Sequence, residues 1–345
     1  MSATSAANLA TTRPRTRPAA RVVLVNWRQS ELTIRAARSI EAQLTSQDRL
    51  VVVDNASGDG SADRLRAAGL DVVESPLNGG FGAGANLGAR GMEEDALVLL
   101  NNDAVAREGF LDAALAPLVD LDGPGGTGAT GEGSRVGATT ALILLAGRYE
   151  PLPDSAPEGD SLTGLDGARW RRLSPSRAQA GEGRVLVNST GNLVDPSGNG
   201  YDRDWLTPVE DLDADPEVAG LCGGACAIRR DAWEACGGFR EDLFMYYEDT
   251  DLSYRLRRAG WSIRFVREAV VLHEHAASSG ADSPMFVRVN ARNRLLVAGE
   301  HAPWPVLARA VARSGARLAR SGPRSAAGRG VLEGLRALPG ALRRR

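Results

Sequence analysis

Three short acidic stretches stand beside hydrophobic runs in this chain: RLVVVDNASGDGS (Arg49 to Ser61), ALVLLNNDA (Ala96 to Ala104) and LFMYYEDTDLSYRLRRAG (Leu243 to Gly260). The first two read as buried strands ending in carboxylates, the third as a carboxylate cluster opening an amphipathic helix. In a parallel α/β sheet the carboxyl ends of the strands converge on one crevice. Carboxylates gathered there suit a divalent metal holding a diphosphate, together with a general base. Asp103, directly after LVLL and Asn102, is placed to be a ligand, because a hard cation bridging two phosphates needs only one or two protein carboxylates. The competing reading is an Asx turn ending the strand. Asp54, after VVV, is placed to accept hydrogen bonds from a base or ribose, or else to form the turn in DNASGDG.

Glu248, Asp249 and Asp251 make the densest acidic cluster. Acids in a helix's first turn complement its dipole, and Asp251 with Arg255 is an ordinary i,i+4 pair. Glu248 and Asp249 precede the engaged helix and are freer to face a cleft, where one would take the proton from an acceptor hydroxyl. His273 and His275 flank Glu274 at a strand end, on one face by period 2, yet HxH with no third partner does not make a zinc site. His273, at the tip of VVLH, is the better candidate to complete an oxygen-rich metal site. The run PLNGGFGAGANLGARG lacks the glycine spacing of a dinucleotide fingerprint. It reads as a loop that lets backbone approach a diphosphate, with Asn78 and Asn86 as polar contacts. In LCGGACA, Gly223 and Gly224 stand where backbone passes close to a substrate or to a neighbouring strand.

The elements that position these residues alternate. Arg21 to Asn26, Leu50 to Val53, Leu70 to Glu74 and Ala96 to Leu100 read as strands, with helices at Glu31 to Leu44 and Ala62 to Ala68. Later strands are expected at Val136 to Leu145, Ala219 to Ile228, Trp261 to Val266 and Ala269 to His273. Helices are expected at Arg230 to Ala235, Asp249 to Ala259 and Pro284 to Ala298. That order predicts an α/β fold with a mostly parallel, Rossmann-like sheet and helices on both faces. Tyr149 to Gly183 is polar and turn-rich with no clear period, and SGNGYDRD (Ser197 to Asp204) reads as a turn.

The 345 residues carry 43% apolar and 24% charged side chains, enough to bury a core. All the basic residues are arginine. From Trp304 to Arg345 ten arginines face one acid, Glu333, so the net charge of −2 leaves −11 on the rest. An acidic body argues against nucleic-acid binding. Cys222, Cys226 and Cys236 fit neither a zinc knuckle nor a disulfide framework. Residues 1–20 have no signal-peptide core, and no run approaches the ~18 apolar residues that span a bilayer. A soluble or peripheral cytoplasmic protein is expected.

Taken together VVLVNW, VVVDNASGDGS, LNGGFGAGANLG, LLNNDA, CGGACAIRR, GGFREDLFMYYEDTDLSYRLRRAGW and VLHEHAASS resemble, in order, the family 2 inverting glycosyltransferases of the GT-A fold, in particular their bacterial rhamnosyltransferase-like branch. The resemblance implies a GT-A domain over residues 21–302 with a smaller acceptor-side subregion. Around it are expected a disordered tail at 1–20, a glycine-rich loop insertion at 121–135 and a basic tail at 303–345. It implies donor contacts from Asn26, Asp54, Asn78, Gly80, Asn86, Asn102, Gly223 and Gly224. Asp103 and His273 would hold Mg2+ or Mn2+, Asn101 standing where the family's D-x-D motif has its first aspartate. Asp249 would be the base, with Glu248 beside it. The implied reaction moves a sugar, rhamnose as first guess, from a dTDP-, UDP- or GDP-sugar to a glycan or polyprenyl-linked acceptor in cell-envelope polysaccharide synthesis. In the tail, Arg309, Arg313, Arg317 and Arg320 share one helical face, which suits the inner face of an anionic plasma membrane. Two rivals remain: a metal-dependent nucleotidyltransferase, and a non-catalytic sugar-nucleotide or glycan-binding module.

Overall fold

A computed structural model describes residues 17–119, 135–274 (apart from 154, 157–158 and 160) and 283–345. Residues 1–16 of the tail expected at 1–20, nearly all of the glycine-rich insertion and His275 lie outside the described residues. The rest of that stretch is ordered, against expectation: Arg17 is buried and pairs with Asp48 at 2.7 Å, and Ala20 opens the first strand.

The β-branched runs form a parallel array: β1 (Ala20–Asn26), β2 (Arg49–Asp54), β3 (Val72–Glu74) and β4 (Ala96–Leu100). Their crossovers include α1 (Ser30–Glu41), α2 (Ser61–Ala67) and α3 (Gly80–Ala89). Every residue of β4 is buried, and every residue of β1 but Val25, as strands covered on both faces require. Beyond β4 come β5 (Ala104–Ala106), α4 (Phe110–Leu115) and the long β6 (Arg135–Leu145). The middle of the chain gives β7 (Tyr149–Leu152), β8 (Leu162–Thr163), β9 (Arg169–Arg172), α5 (Pro175–Gln179), β10 (Val187–Ser189), β11 (Asn192–Val194) and β12 (Gly200–Asp202). The pattern resumes with β13 (Ala225–Arg229), α6 (Arg230–Cys236), α7 (Glu248–Arg258) and β14 (Trp261–His273). It closes with α8 (Pro284–His301), α9 (Trp304–Ser321) and α10 (Ala326–Arg343).

The main sheet runs β3-β2-β1-β4-β13-β6-β14-β5, with β10 attached to β6. The first four strands are parallel; β13 enters antiparallel between β4 and β6, and β14 runs parallel to β6. One face is filled from α1 and α4, where Phe110, Leu111 and Leu115 are fully buried. The other is filled by α3, α6 and α7 through Ala85, Trp233 and Leu252. A fully buried Leu or Phe contributes about 1.5–3 kcal/mol, so this two-sided core holds the strand tips in place. A three-stranded sheet (β7-β9-β8) and the β11–β12 hairpin form a smaller subregion beside the main sheet.

Residues 303–345, expected as a basic tail, are built largely of α9 and α10, and both helices pack on α8. Gly330 makes the contact with α8 close: a Cβ there would overlap the Arg288 carbonyl. Arg309 donates to the Pro196 carbonyl at 2.6 Å and Arg313 to Ser197 Oγ at 2.8 Å, so two arginines of the basic face are engaged with the 195–199 turn. Among the described residues no helix is long and apolar enough to cross a membrane.

Candidate active site

Strand register brings the first pair together. β14 lies antiparallel to β5 with His273 opposite Ala104, and the Glu274 N–H donates to the Asp103 carbonyl at 2.9 Å. His273 Nε2 thereby stands 3.1 Å from Asp103 Oδ1, with the aspartate side chain buried and the imidazole half-buried. Behind the ring, Nδ1 donates to Asn188 Oδ1 at 2.7 Å. A neutral imidazole that donates from Nδ1 turns its Nε2 lone pair toward the carboxylate. Two acceptors at that distance hold together with a cation between them, a proton or a metal. The oxygen-plus-imidazole donor set, oriented by the Asn188 amide behind the ring, fits a divalent ion that takes its other ligands from phosphate and water.

The second group opens α7. Asp249 is held at both oxygens: Gly223 N–H donates to Oδ2 at 3.1 Å and Thr250 N–H to Oδ1 at 2.6 Å. Burial nevertheless raises its pKa above the ordinary aspartate value. Glu248 is buried, and its Oε2 finds no hydrogen-bond partner among the described residues. Burial first, then the neighbouring Asp249 charge, push Glu248 up to about 8. Both acids are pushed toward the protonated form, and Asp249, whose charged form is held by the Gly223 and Thr250 N–H groups, is the member of the pair better placed to receive a proton.

The approach to these carboxylates is a left-handed run. Phe244, Tyr246 and Tyr247 have φ of 66°, 65° and 72°, a region that costs a non-glycine residue about 1–3 kcal/mol. One side chain over-determines it: the Asn293 carboxamide donates to the carbonyls of Leu243, Met245 and Tyr246 at 2.9, 2.9 and 2.8 Å. Two residues beyond Asp249 on α7, Asp251 behaves differently. Burial pushes it up, but His301, Arg255 and Arg240 outweigh that and hold it below the ordinary value.

On the other side of the crevice the expected donor contacts divide. Asn26 Nδ2 donates to Asp54 Oδ1 at 2.7 Å, Thr33 donates to Asn26 Oδ1 at 2.7 Å, and Asn102 Nδ2 donates to the Thr33 hydroxyl at 3.2 Å. A buried polar relay thus ties the tips of β2, β1 and β4 together. Asp54 also accepts from the Ser57 backbone and hydroxyl, so its carboxylate closes its own turn. Asn78 Oδ1 accepts from Gly80 N–H and Asn55, and the Asn86 amide pairs with Phe239 and Glu241. The glycine-rich run is a helix, α3, where a loop was expected. Its first residue, Gly80, has φ +86° and lies so close to the Phe244 carbonyl that a Cβ would overlap it. Gly224 accepts from Asn101 N–H at 2.9 Å, joining β4 to the β13 side of the crevice.

Sequence reasoning missed Asn188, Ser189, Thr250 and Asp202. Asp202 ends β12 beside Ser189 and Cys222, near Asp249 and His273; burial, reinforced by the Asp249 charge, pushes it up to about 6. Its signal was the SGNGYDRD turn, where it reads as turn chemistry.

Residues 22–131 match the model described as glycosyl transferase family 2, and residues 175–296 that described as glycosyltransferase like family 2. The chain belongs to glycosyltransferase family 2. Every candidate residue of this family 2 chain falls within one of the two matched stretches. Over 171 residues, 49% of the chain, it is 32% identical to the N-acetylglucosaminyl-diphospho-decaprenol L-rhamnosyltransferases of Mycobacterium tuberculosis strains CDC 1551 / Oshkosh and ATCC 25618 / H37Rv. It spans about half the length, 52%, of these curated relatives. Among solved structures it resembles the mannosyltransferase PcManGT from Pyrobaculum calidifontis in complex with GDP-Man and Mn2+, with a TM-score of 0.51 and 16% identity over 96% of this chain and 85% of that one. At that identity the likeness concerns the fold, which is GT-A.

Proposed function

We propose that this chain transfers a glycosyl group from a nucleoside-diphosphate sugar to an acceptor hydroxyl with inversion at the anomeric carbon. The observation that carries the reading is the Asp103–His273 pair, 3.1 Å apart at a strand tip and oriented by Asn188. A Mg2+ or Mn2+ ion held by these two residues would neutralise the leaving diphosphate. Asp249 takes the proton of the acceptor hydroxyl. That oxygen bonds to the anomeric carbon as the bond to phosphate breaks, and the nucleoside diphosphate leaves with the electron pair. Gly223 and Thr250 keep the Asp249 carboxylate aimed, while Glu248, neutral beside it, adds no second negative charge. Asn26, Asp54 and Asn102 hold the donor side of the crevice in register.

The mycobacterial relatives, by name, support rhamnosyl transfer to a polyprenyl-diphosphate-linked acceptor. We infer cell-envelope synthesis as its setting and dTDP, UDP or GDP as the donor nucleotide. The exposed Arg320, Arg324, Arg329 and Arg336 of the α9–α10 region support a peripheral seat on an anionic inner membrane surface. The nucleotidyltransferase rival needs a free basic grip near the first strand. Arg28, the cation there, instead donates to the Ser57 carbonyl at 3.1 Å.

The test is a panel of nucleotide sugars titrated by calorimetry with and without Mn2+, on wild type and Asp103→Ala. Metal-dependent binding of one donor, lost in the variant, is expected. If no donor binds under any metal condition, the transferase reading falls and the non-catalytic module takes its place.

A further inference from the structure

The β11–β12 hairpin is fastened to the helix that carries the base. Gly200 N–H donates to the Tyr247 hydroxyl at 3.0 Å, and the Thr250 hydroxyl donates to Asn192 Oδ1 at 2.9 Å. Asn192 is the register partner of Asp202, and the backbone N–H of the same Thr250 holds Asp249 Oδ1. One residue thus sets the position of both carboxylates. Behind the hairpin, Asn192 N–H donates to the Gly220 carbonyl at 2.8 Å, and Cys222 N–H donates to Thr140 Oγ1 at 3.1 Å. Asp202 is therefore built into the wall of the crevice.

Its surroundings are unlike those of a structural aspartate. Among the described residues no arginine pairs with it; the adjacent Arg203 turns away, donating to Thr190 Oγ1 at 2.7 Å. Ser189 and Cys222 flank it, and Asp249 and His273 lie near. The grouping is not a metal cage either. Among the described residues the one set of three or more acidic, His or Cys donors gathered within 4.8 Å is Asp251, Glu300 and His301, behind α7. What remains is a half-buried carboxylate without a charged partner among the described residues, whose register partner Asn192 touches the same Thr250 that holds the base. A sugar suits two carboxylates on one wall, because hydroxyls on neighbouring carbons can be served by two separate acceptors.

We propose that Asp202 is an acceptor-positioning residue, accepting a hydrogen bond from the hydroxyl adjacent to the one that Asp249 deprotonates. It selects acceptors by the presence of that second hydroxyl. The inference rests on the transferase reading above.

The test compares full-length wild type with Asp202→Asn, using the donor identified by calorimetry and Mn2+. The acceptor probe is N-acetylglucosaminyl diphosphate bearing a short prenyl chain, together with its monodeoxy analogues. For the variant, donor affinity and slow donor hydrolysis to water should stay within about twofold of wild type. Its kcat/KM for the intact acceptor should fall on the order of ten- to hundredfold, the weight of a hydrogen bond to a charged group. One monodeoxy acceptor should be used equally poorly by both proteins, because the missing hydroxyl and the missing charge are the same interaction. A loss of the same factor on every acceptor indicates a merely structural role and overturns the proposal. So does an unchanged kcat/KM, or a loss of donor hydrolysis, which would assign Asp202 to the donor. Should Asp202→Asn not fold, Asp202→Ser is carried through the same comparison. If wild type itself binds no nucleotide sugar, the failure belongs to the transferase reading and is recognised before any acceptor is added.

Discussion

Asp249 and Asp251 lie two residues apart on α7, and they belong to two regions that treat a carboxylate in opposite ways. On the crevice side, Asp249, Glu248 and Asp202 are desolvated without an arginine partner among the described residues, and all three are pushed upward. Behind the helix, Asp251 takes bonds from Arg255 at 2.8 Å, Arg240 at 3.3 Å and His301 at 2.8 Å. Glu300 there takes Arg240 at 2.9 Å and Arg344 at 2.8 Å. Asp251, Glu300 and His301 are spaced like a metal site, yet the Arg240 guanidinium already bridges the two acids. Burial alone therefore does not mark a functional acid. Burial without neutralisation does, because only an unneutralised carboxylate retains a reason to take a proton.

Three substitutions probe that contrast. Asp249→Asn should lower transfer on the order of 10²–10⁴-fold while leaving donor affinity and melting temperature near wild type. Initial rates and calorimetry on the same preparation check it, and a variant that keeps its rate would move the base elsewhere. Asp251→Ala should do the reverse, lowering unfolding free energy by about 3–5 kcal/mol in urea, because two arginines lose their counter-charge and His301 Nε2 loses its acceptor. Its folded fraction should still bind donor. Glu248→Gln has the smallest effect and a defined pH sign. The folded state favours neutral Glu248, so its contribution is fully present below the ordinary value of 4.5 and erodes as pH rises toward about 8. Relative to wild type, Glu248→Gln should be about equally stable at pH 4 and more stable by about 1–3 kcal/mol at pH 9. Parallel denaturation curves at the two pH values decide it.

The two regions also differ in how far the sequence revealed them. β-branched runs ending in Asp54 and Asn102–Asp103 announce strand tips, because continuous apolar runs have few other uses in a soluble chain. The α7 acids were legible as a cluster, but Asp251 separates from Asp249 only when Arg240, His301 and Glu300 arrive from distant segments. Asp202 was hidden because β11 and β12 are three residues each, too short to show a period. The glycine-rich run reads from sequence as a loop that lets backbone approach a diphosphate, and glycine's poor helix propensity is consistent with that reading. The close approach of α3 to Phe244 overrides that propensity and makes glycine necessary. At the C-terminus Gly315, Gly322 and Pro323 read as breakers. Gly315 lies on an exposed part of α9, and Gly322, with φ +77°, ends that helix before α10 begins.

Asn293 has a consequence for how this protein tolerates change. Exchanging its amide NH2 for an oxygen, as Asn293→Asp does, alters almost no volume, yet it turns a donor serving three carbonyls into an anion facing them. In a saturation-mutagenesis library, depletion at position 293 should therefore rival that at 249, although Asn293 serves only the loop that leads to the base. Tolerance maps of this chain will highlight the latch as brightly as the base, and only an assay that separates folded yield from turnover will tell the two apart.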